Sequence, residues 1–208
     1  MDSGTVLSRD GRAIAAFTFM DHLRPNAAVS VKRLLTDNLQ VQILSGDRPK
    51  RVASLAQRLE VPGVGGLLPA EKVNEIRRLE QSGHRVLMVG DGINDTPAMA
   101  RAFASMAPGN AAELGRNAAD FVFLRNDLDA VPTALTVARA AQKLVRQNLA
   151  LALLYNIIAL PIAIAGLVNP FTAAVAMSAS SVVVVANALR LGWGRSDHPA
   201  RQLKARTA

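Results

Sequence analysis

The chain has 208 residues, with 24 Lys and Arg against 16 Asp and Glu, a formal net charge of +8 and no cysteine. The length allows one ordinary domain and a smaller addition, and the lack of cysteine excludes disulfides, Cys-type zinc sites and thiolate copper ligands within the chain. The basic excess does not read as nucleic-acid binding, because aromatic residues are not interleaved with the basic ones for stacking on bases.

The polar, mixed residues at the start do not read as a signal peptide. Arg9-Asp10-Gly11-Arg12 reads as a hairpin turn leading into Ala13–Phe19. A helix is expected from Pro25 to about Asn38, with Val29, Leu34 and Leu35 facing inward. Val41–Leu44 reads as a short strand and Pro49–Leu59 as a helix. Glu71–Ser82 reads as a helix with Val73, Ile76 and Leu79 at helical spacing. Arg85–Val89 reads as a buried strand, Thr96–Ala104 as a helix and Phe121–Leu124 as a last strand. Repeated strand–helix units of this kind imply a parallel sheet with helices on both faces.

A basic amphipathic helix is expected over 133–146. From Gln147 to Leu189 there is no Asp, Glu, Lys or Arg. This window breaks at Asn169-Pro170 into two segments, each long enough to cross a bilayer as a helix. Arg139, Lys143 and Arg146 precede it. Arg190, Arg195, Arg201, Lys204 and Arg206 follow it. Basic flanks on both sides place both ends in the cytoplasm by the positive-inside rule.

The strongest local motif is Gly90-Asp91-Gly92-Ile93-Asn94-Asp95, straight after the strand Arg85–Val89. Open parallel sheets bind ligands at the carboxyl ends of their strands. Carboxylates there suit magnesium, which takes oxygen ligands and one or two carboxylates beside phosphate. Gly90 and Gly92 permit a tight turn, and Asn94 belongs to the same loop. Ser45-Gly46-Asp47 also ends a strand, where a hydroxyl and backbone N–H groups can hold a phosphoryl oxygen. Lys72 opens a helix, and a cation there can neutralise a transferring phosphoryl group. Each piece alone is an ordinary turn or a surface lysine; their order along the chain is the informative feature.

That order, Ser45, Lys72, then Asp91 and Asp95, resembles motifs two to four of the haloacid-dehalogenase-like superfamily. The string Met88–Met99 resembles the hinge motif of P-type ATPases, with Thr96 where that family usually has Ala and Met99 where it has Leu. The resemblance implies an incomplete haloacid-dehalogenase-like α/β (Rossmann-type) phosphorylation domain followed by a two-helix transmembrane hairpin. It implies Ser45, Gly46, Asp47 and Lys72 in catalysis, Asp91 and Asp95 on Mg2+, and Gly90, Gly92 and Asn94 in the phosphate loop. Residues 1–20 would end a nucleotide-binding domain, and 21–132 would form part of the phosphorylation domain. A stalk helix over 133–147, spans over 148–168 and 171–191, and a basic cytoplasmic tail over 192–208 would follow.

The family's nucleophile lies in Asp-Lys-Thr-Gly-Thr, which this chain lacks. Asp2-Ser3-Gly4-Thr5 has no lysine and is one residue short. It also lies only some 40 residues before Ser45, where the family has a whole nucleotide-binding domain. The segment Phe17–Pro25 instead resembles the return from that domain. Without the aspartate, the remaining groups can bind phosphate and magnesium but cannot form an aspartyl-phosphate. The central strand goes with it, so neighbouring strands are expected to have unpaired edges.

Polar groups inside an apolar span are candidates for function. Tyr155 and Asn156 lie in the first span, and Met177 and Ser181 share a face of the second. A thioether beside hydroxyl and amide oxygens suits Cu(I); the serines would equally permit close helix packing. Tyr155-Asn156, Met177–Ser181 and Asn187–Leu191 resemble the last two spans of copper-transporting P-type ATPases, which implies that Tyr155, Asn156, Met177 and Ser181 line the copper path. Ser45–Arg48, Ala119–Phe123 and Leu144–Asn148 further resemble the FixI/CcoI branch, which exports copper for cbb3-type oxidase assembly. The resemblance thus implies transported Cu+, Mg2+, ATP bound largely outside these residues, the missing N-terminal half of the pump as a partner, and the bacterial inner membrane. Two further possibilities are a membrane-anchored regulatory module without catalysis, or a relic of a pump gene. A soluble phosphatase fits least, given the two spans.

Overall fold

The structure, a computed structural model, describes residues 5–17, 23–24, 26–124 and 127–193. The Asp2 segment, most of the 17–25 return and the tail from 194 lie outside these. Residues 1–132 and 133–208 form two compact units.

The first unit opens with strands β1 (Thr5–Arg9) and β2 (Arg12–Phe17), paired antiparallel with Arg9 opposite Arg12. The turn residues Asp10 and Gly11 both have positive φ, 49° and 77°, the geometry that matches the twist of a two-residue hairpin. Then come α1 (Ala27–Thr36), β3 (Ile43–Leu44), α2 (Pro49–Leu59), β4 (Gly63–Val64), α3 (Pro69–Gln81) and β5 (Leu87–Val89). A 3-10 turn (Ile93–Asp95), α4 (Thr96–Arg101), β6 (Ala104–Pro108), α5 (Glu113–Ala118) and β7 (Phe121–Phe123) complete it.

Strands β3 to β7 are parallel as expected, but they form two sheets instead of one. β3 pairs with β4, and β5, β6 and β7 form a separate three-stranded sheet in that order. Among the described residues, β3, β4, β5 and β7 each have a strand partner on one side only. β6 centres the larger sheet. Its Ser105 N–H and hydroxyl donate to Asp120 Oδ2 at 2.8 and 2.9 Å, and the Asp120 N–H donates back to Ser105 Oγ at 3.1 Å. Met99, Ala107 and Ala111 form the core there, with Met88 and Ala119 packed against them.

Several expectations need correction. In α1 the buried positions are Ala27 and Ser30, while Val29 is 65% exposed; the inward face runs through 27, 30, 31 and 34 and leaves 29 outside. β4, β6 and α5 were not expected. β4 is two residues between Pro62 and paired glycines. β6, Ala-Ser-Met-Ala-Pro, has no β-branched or aromatic residue to announce a strand. α5 carries Gly115 in its interior, which weakens a helix signal.

In the second unit, α6 (Ala130–Ile164) is one continuous helix, so the stalk and first span have no break at 147. α7 is Pro170–Trp193. Pro170 stands at its first turn, and Asn169 and Thr172 cap it reciprocally: the Thr172 N–H donates to Asn169 Oδ1 at 2.8 Å, and the Asn169 N–H to Thr172 Oγ1 at 3.1 Å. Both helices are long and apolar enough to cross a membrane. Many of their leucines, isoleucines and valines are exposed, with Leu149 at 70% and Ile164 at 78%. On α7 the less exposed positions are Ala173, Ala176, Ser180, Val184, Asn187 and Leu191, a stripe at helical spacing.

Candidate functional site

The loop after β5 is built around one side chain. Asp95 turns back beneath Gly90 and Gly92. A Cβ on Gly90 would come within 2.8 Å of Asp95 Cβ and 3.1 Å of its carboxylate, so only glycine fits. The Gly90 N–H donates to Met106 O at 3.1 Å, anchoring the loop to β6. Asn94 is exposed in the 3-10 turn.

Lys72 reaches this loop from the first turn of α3. The Leu68 N–H donates to Glu71 Oε2 at 2.7 Å and Pro69 occupies the first turn, which fixes where the helix starts. Lys72 Nζ then donates to Asp95 Oδ1 at 2.6 Å, with the side chains 8% and 16% exposed. A charge so nearly buried requires such a partner.

Asp91 has a different partner. Its carboxylate is 59% exposed and accepts from Arg24 Nη2 at 2.8 Å. No local spacing announces Arg24, which lies 67 residues upstream, and it was not among the expected site residues.

Ser45, Gly46 and Asp47 form a turn at the end of β3. Ser45 Oγ accepts from the Asp47 N–H at 3.1 Å, which leaves the hydroxyl proton to donate elsewhere. The Leu67 N–H donates to Ser45 O at 3.0 Å. A Cβ on Gly46 would lie 3.2 Å from Leu67 O. The turn is thus tied by backbone to the segment leading into α3, the helix that carries Lys72. Among the described residues no hydrogen bond joins Ser45 itself to Lys72, Asp91 or Asp95.

No group of three or more His, Asp or Glu residues gathers around one point among the described residues. The acidic donors at the β5 loop are the exposed Asp91 carboxylate, paired with Arg24, and the Asp95 carboxylate, paired with Lys72. That fits magnesium, which is held by one or two carboxylates and completes its shell with water and phosphate oxygens.

In the second unit, Met177 is 65% exposed, and Asn156 and Ser181 are also exposed while Tyr155 is half-buried. The hydroxyls of Ser180 and Ser181 both donate to Met177 O, at 3.0 and 3.1 Å. Met177 and Ser181 lie off the less exposed stripe of α7, and no hydrogen bond links them to Tyr155 or Asn156 among the described residues. The two helices are joined instead by Asn187, whose amide donates to Asn148 Oδ1 at 2.8 Å and accepts from Arg190 Nη1 at 3.1 Å.

Comparison with known proteins agrees with this anatomy. A family model described as haloacid dehalogenase-like hydrolase matches residues 2–102, and a second of the same description matches 70–135. The nitrogen fixation protein FixI of Rhizobium leguminosarum bv. viciae is 53% identical over 195 residues, 93% of this chain and 26% of that protein. A copper-exporting P-type ATPase of Mycobacterium tuberculosis is 43% identical over 183 residues, 88% of this chain and 24% of that protein. The crystal structure of a zinc-transporting PIB-type ATPase in an E2.Pi state matches with a TM-score of 0.79 at 35% identity, covering 83% of this chain and 28% of that one. The chain spans about a quarter of the length of the curated relatives it matches. With a haloacid-dehalogenase-like domain in its first unit and a transmembrane hairpin in its second, the chain belongs to the P-type ATPase family.

Proposed function

We propose that the chain supplies the magnesium and phosphate side of the phosphorylation site, and the last two membrane helices, of a Cu(I)-exporting P-type ATPase. The observation that carries the reading is the buried Lys72–Asp95 pair, 2.6 Å apart, at the end of β5. It sets a cation beside the loop that would receive a phosphoryl group. The Ser45 hydroxyl would donate to a phosphoryl oxygen, and Asp91 and Asp95 would hold Mg2+. When bound, that ion neutralises charge on the phosphoryl oxygens. The nucleophilic aspartate would come from outside these 208 residues, because no Asp-Lys-Thr-Gly-Thr occurs in them. ATP would be bound there too.

Copper is favoured over zinc by the donor types. Neither helix offers a carboxylate or imidazole between Gln147 and Leu189, whereas Met177 offers a thioether suited to a soft monovalent ion. Tyr155, Asn156 and Ser181 would add oxygen donors. The basic flanks support an inner-membrane hairpin with both ends cytoplasmic. The resemblance of Ser45–Arg48, Ala119–Phe123 and Leu144–Asn148 to the FixI/CcoI branch implies delivery of copper toward assembly of a cbb3-type oxidase.

The test is complementation in vesicles. The chain is reconstituted with a polypeptide carrying Asp-Lys-Thr-Gly-Thr, a nucleotide-binding domain and the Cys-Pro-Cys span. ATP hydrolysis stimulated by Cu(I), and reduced by Met177→Ala, is expected. Stimulation by Zn(II) but not Cu(I) would overturn the cargo assignment.

A further inference from the structure

We infer that Asn187 is a positioning residue that sets the register in which α7 packs on α6, and with it the height at which the proposed ion donors of the two helices meet. Asn187 Nδ2 donates to Asn148 Oδ1 at 2.8 Å and lies 3.5 Å from Gln147 Oε1. Its Oδ1 accepts from Arg190 Nη1 at 3.1 Å. A guanidinium can only donate, so Arg190 takes the amide oxygen and turns the amide NH2 group toward α6. Both ends of the Asn187 amide are thereby used.

The burial of the two helices fits this register. Past Arg146, the half-buried positions of α6 are Gln147, Asn148, Tyr155 and Ala159. In an antiparallel pair, a step along one helix is matched by an equal step back along the other. With Asn148 level with Asn187, Tyr155 stands level with Ser180 and Ala159 with Ala176, and both partners are half-buried on α7. A slip of one turn would set Tyr155 against Ala176 or Val184. It would also leave an amide without its partner in apolar surroundings, which is costly. Because the helices run in opposite directions, the residue after each seam position turns to the same side on both. Asn156 follows Tyr155, Met177 follows Ala176 and Ser181 follows Ser180. Those three therefore lie on one side of the seam, with Asn156 between Met177 and Ser181 in height. The register does not depend on the cargo; only the meaning of that face rests on the copper reading.

The chain has no cysteine, so introduced cysteine pairs report without background. The full chain in phosphatidylcholine vesicles, free of metal and nucleotide, is oxidised with diamide, and intramolecular disulfides are counted with thiol-reactive mass tags. A159C/A176C lies in register, whereas A159C/V184C lies on the same seam about 12 Å further along α7. A disulfide spans no more than about 7 Å between Cα atoms, so the first pair should close at least about tenfold faster. N187L should lower that ratio by about threefold or more, the least that an interhelical hydrogen bond in a membrane gives. N148L should do the same, and N148L/N187L should lower it no further, because both remove one bond. Helical circular dichroism should stay unchanged, which separates loss of register from loss of the helices. Equal closure of the two pairs, a ratio untouched by N187L, or additive losses in the double variant would each overturn the lock. Since neither metal nor ATP enters the assay, a wrong cargo assignment would leave these results as they are.

Discussion

Lys72 Nζ and Asp95 Oδ1 lie 2.6 Å apart, with the side chains 8% and 16% exposed, across 23 residues of sequence. The pair joins α3 to the loop after β5. Removing one member leaves the other charge buried and unpaired, which costs about 3–5 kcal/mol. Thermal melting of the full chain in neutral detergent should show Lys72→Met as strongly destabilised. The double variant K72M/D95L should recover most of the loss, because apolar replacement of both partners is close to neutral. Additive losses would show that the two side chains do not act as a pair.

Thr96 carries the opposite kind of feature. Its hydroxyl is buried and has no hydrogen-bond partner among the described residues. Thr96→Val keeps the shape and removes the unsatisfied group, so a gain of about 1 kcal/mol is expected. A lower melting temperature in Thr96→Val would mean that the hydroxyl is paired in solution.

Gly90→Ala should disturb the same loop from beneath. The new methyl would meet the Asp95 side chain at 2.8 Å, and overpacking of this kind costs about 1–3 kcal/mol. The shift should also weaken the Lys72–Asp95 pair, so the coupling measured between those two residues should fall in the Gly90→Ala background. Undiminished coupling would show that the loop absorbs the methyl elsewhere.

The helices and the motif loops were legible in the sequence, and the sheet was less so. Pro49–Leu59 and α3 stand where periodicity and helix-start signals place them, and the Gly90–Asp95 string marks its loop by composition alone. β6 escaped because small residues and a terminal proline carry no strand signal, although it is the middle strand. The Lys72–Asp95 pair was legible only as an order of motifs. The Arg24–Asp91 pair was not legible, since a contact across 67 residues leaves no spacing to read. The continuity of α6 was hidden by the abrupt loss of charge after Arg146, which changes the helix's surroundings without changing its backbone.

Arg24 and magnesium compete for one carboxylate. Arg24→Gln should raise the affinity for Mg2+, read directly by Mn2+ binding in electron paramagnetic resonance. The gain should be no more than about fivefold, because an exposed ion pair contributes ~1 kcal/mol or less. Asp91→Asn should abolish the binding. Weaker binding in Arg24→Gln would show that Arg24 orients Asp91 for the ion.

The unpaired edges of β3 and β5 predict poor cooperativity in the soluble part. Urea unfolding of residues 21–132 should be broad, with a low slope for the surface it exposes. A sharp two-state transition would show that the two small sheets support each other without a strand between them.

The most direct measurement is acid-quenched phosphorylation with γ-labelled ATP, Mg2+ and Cu(I). The purified chain alone should take up no hydroxylamine-sensitive label. Labelling should appear when a polypeptide carrying Asp-Lys-Thr-Gly-Thr and the rest of the pump is added, and it should lie on that polypeptide. Copper-dependent labelling of the 208-residue chain by itself would contradict the account.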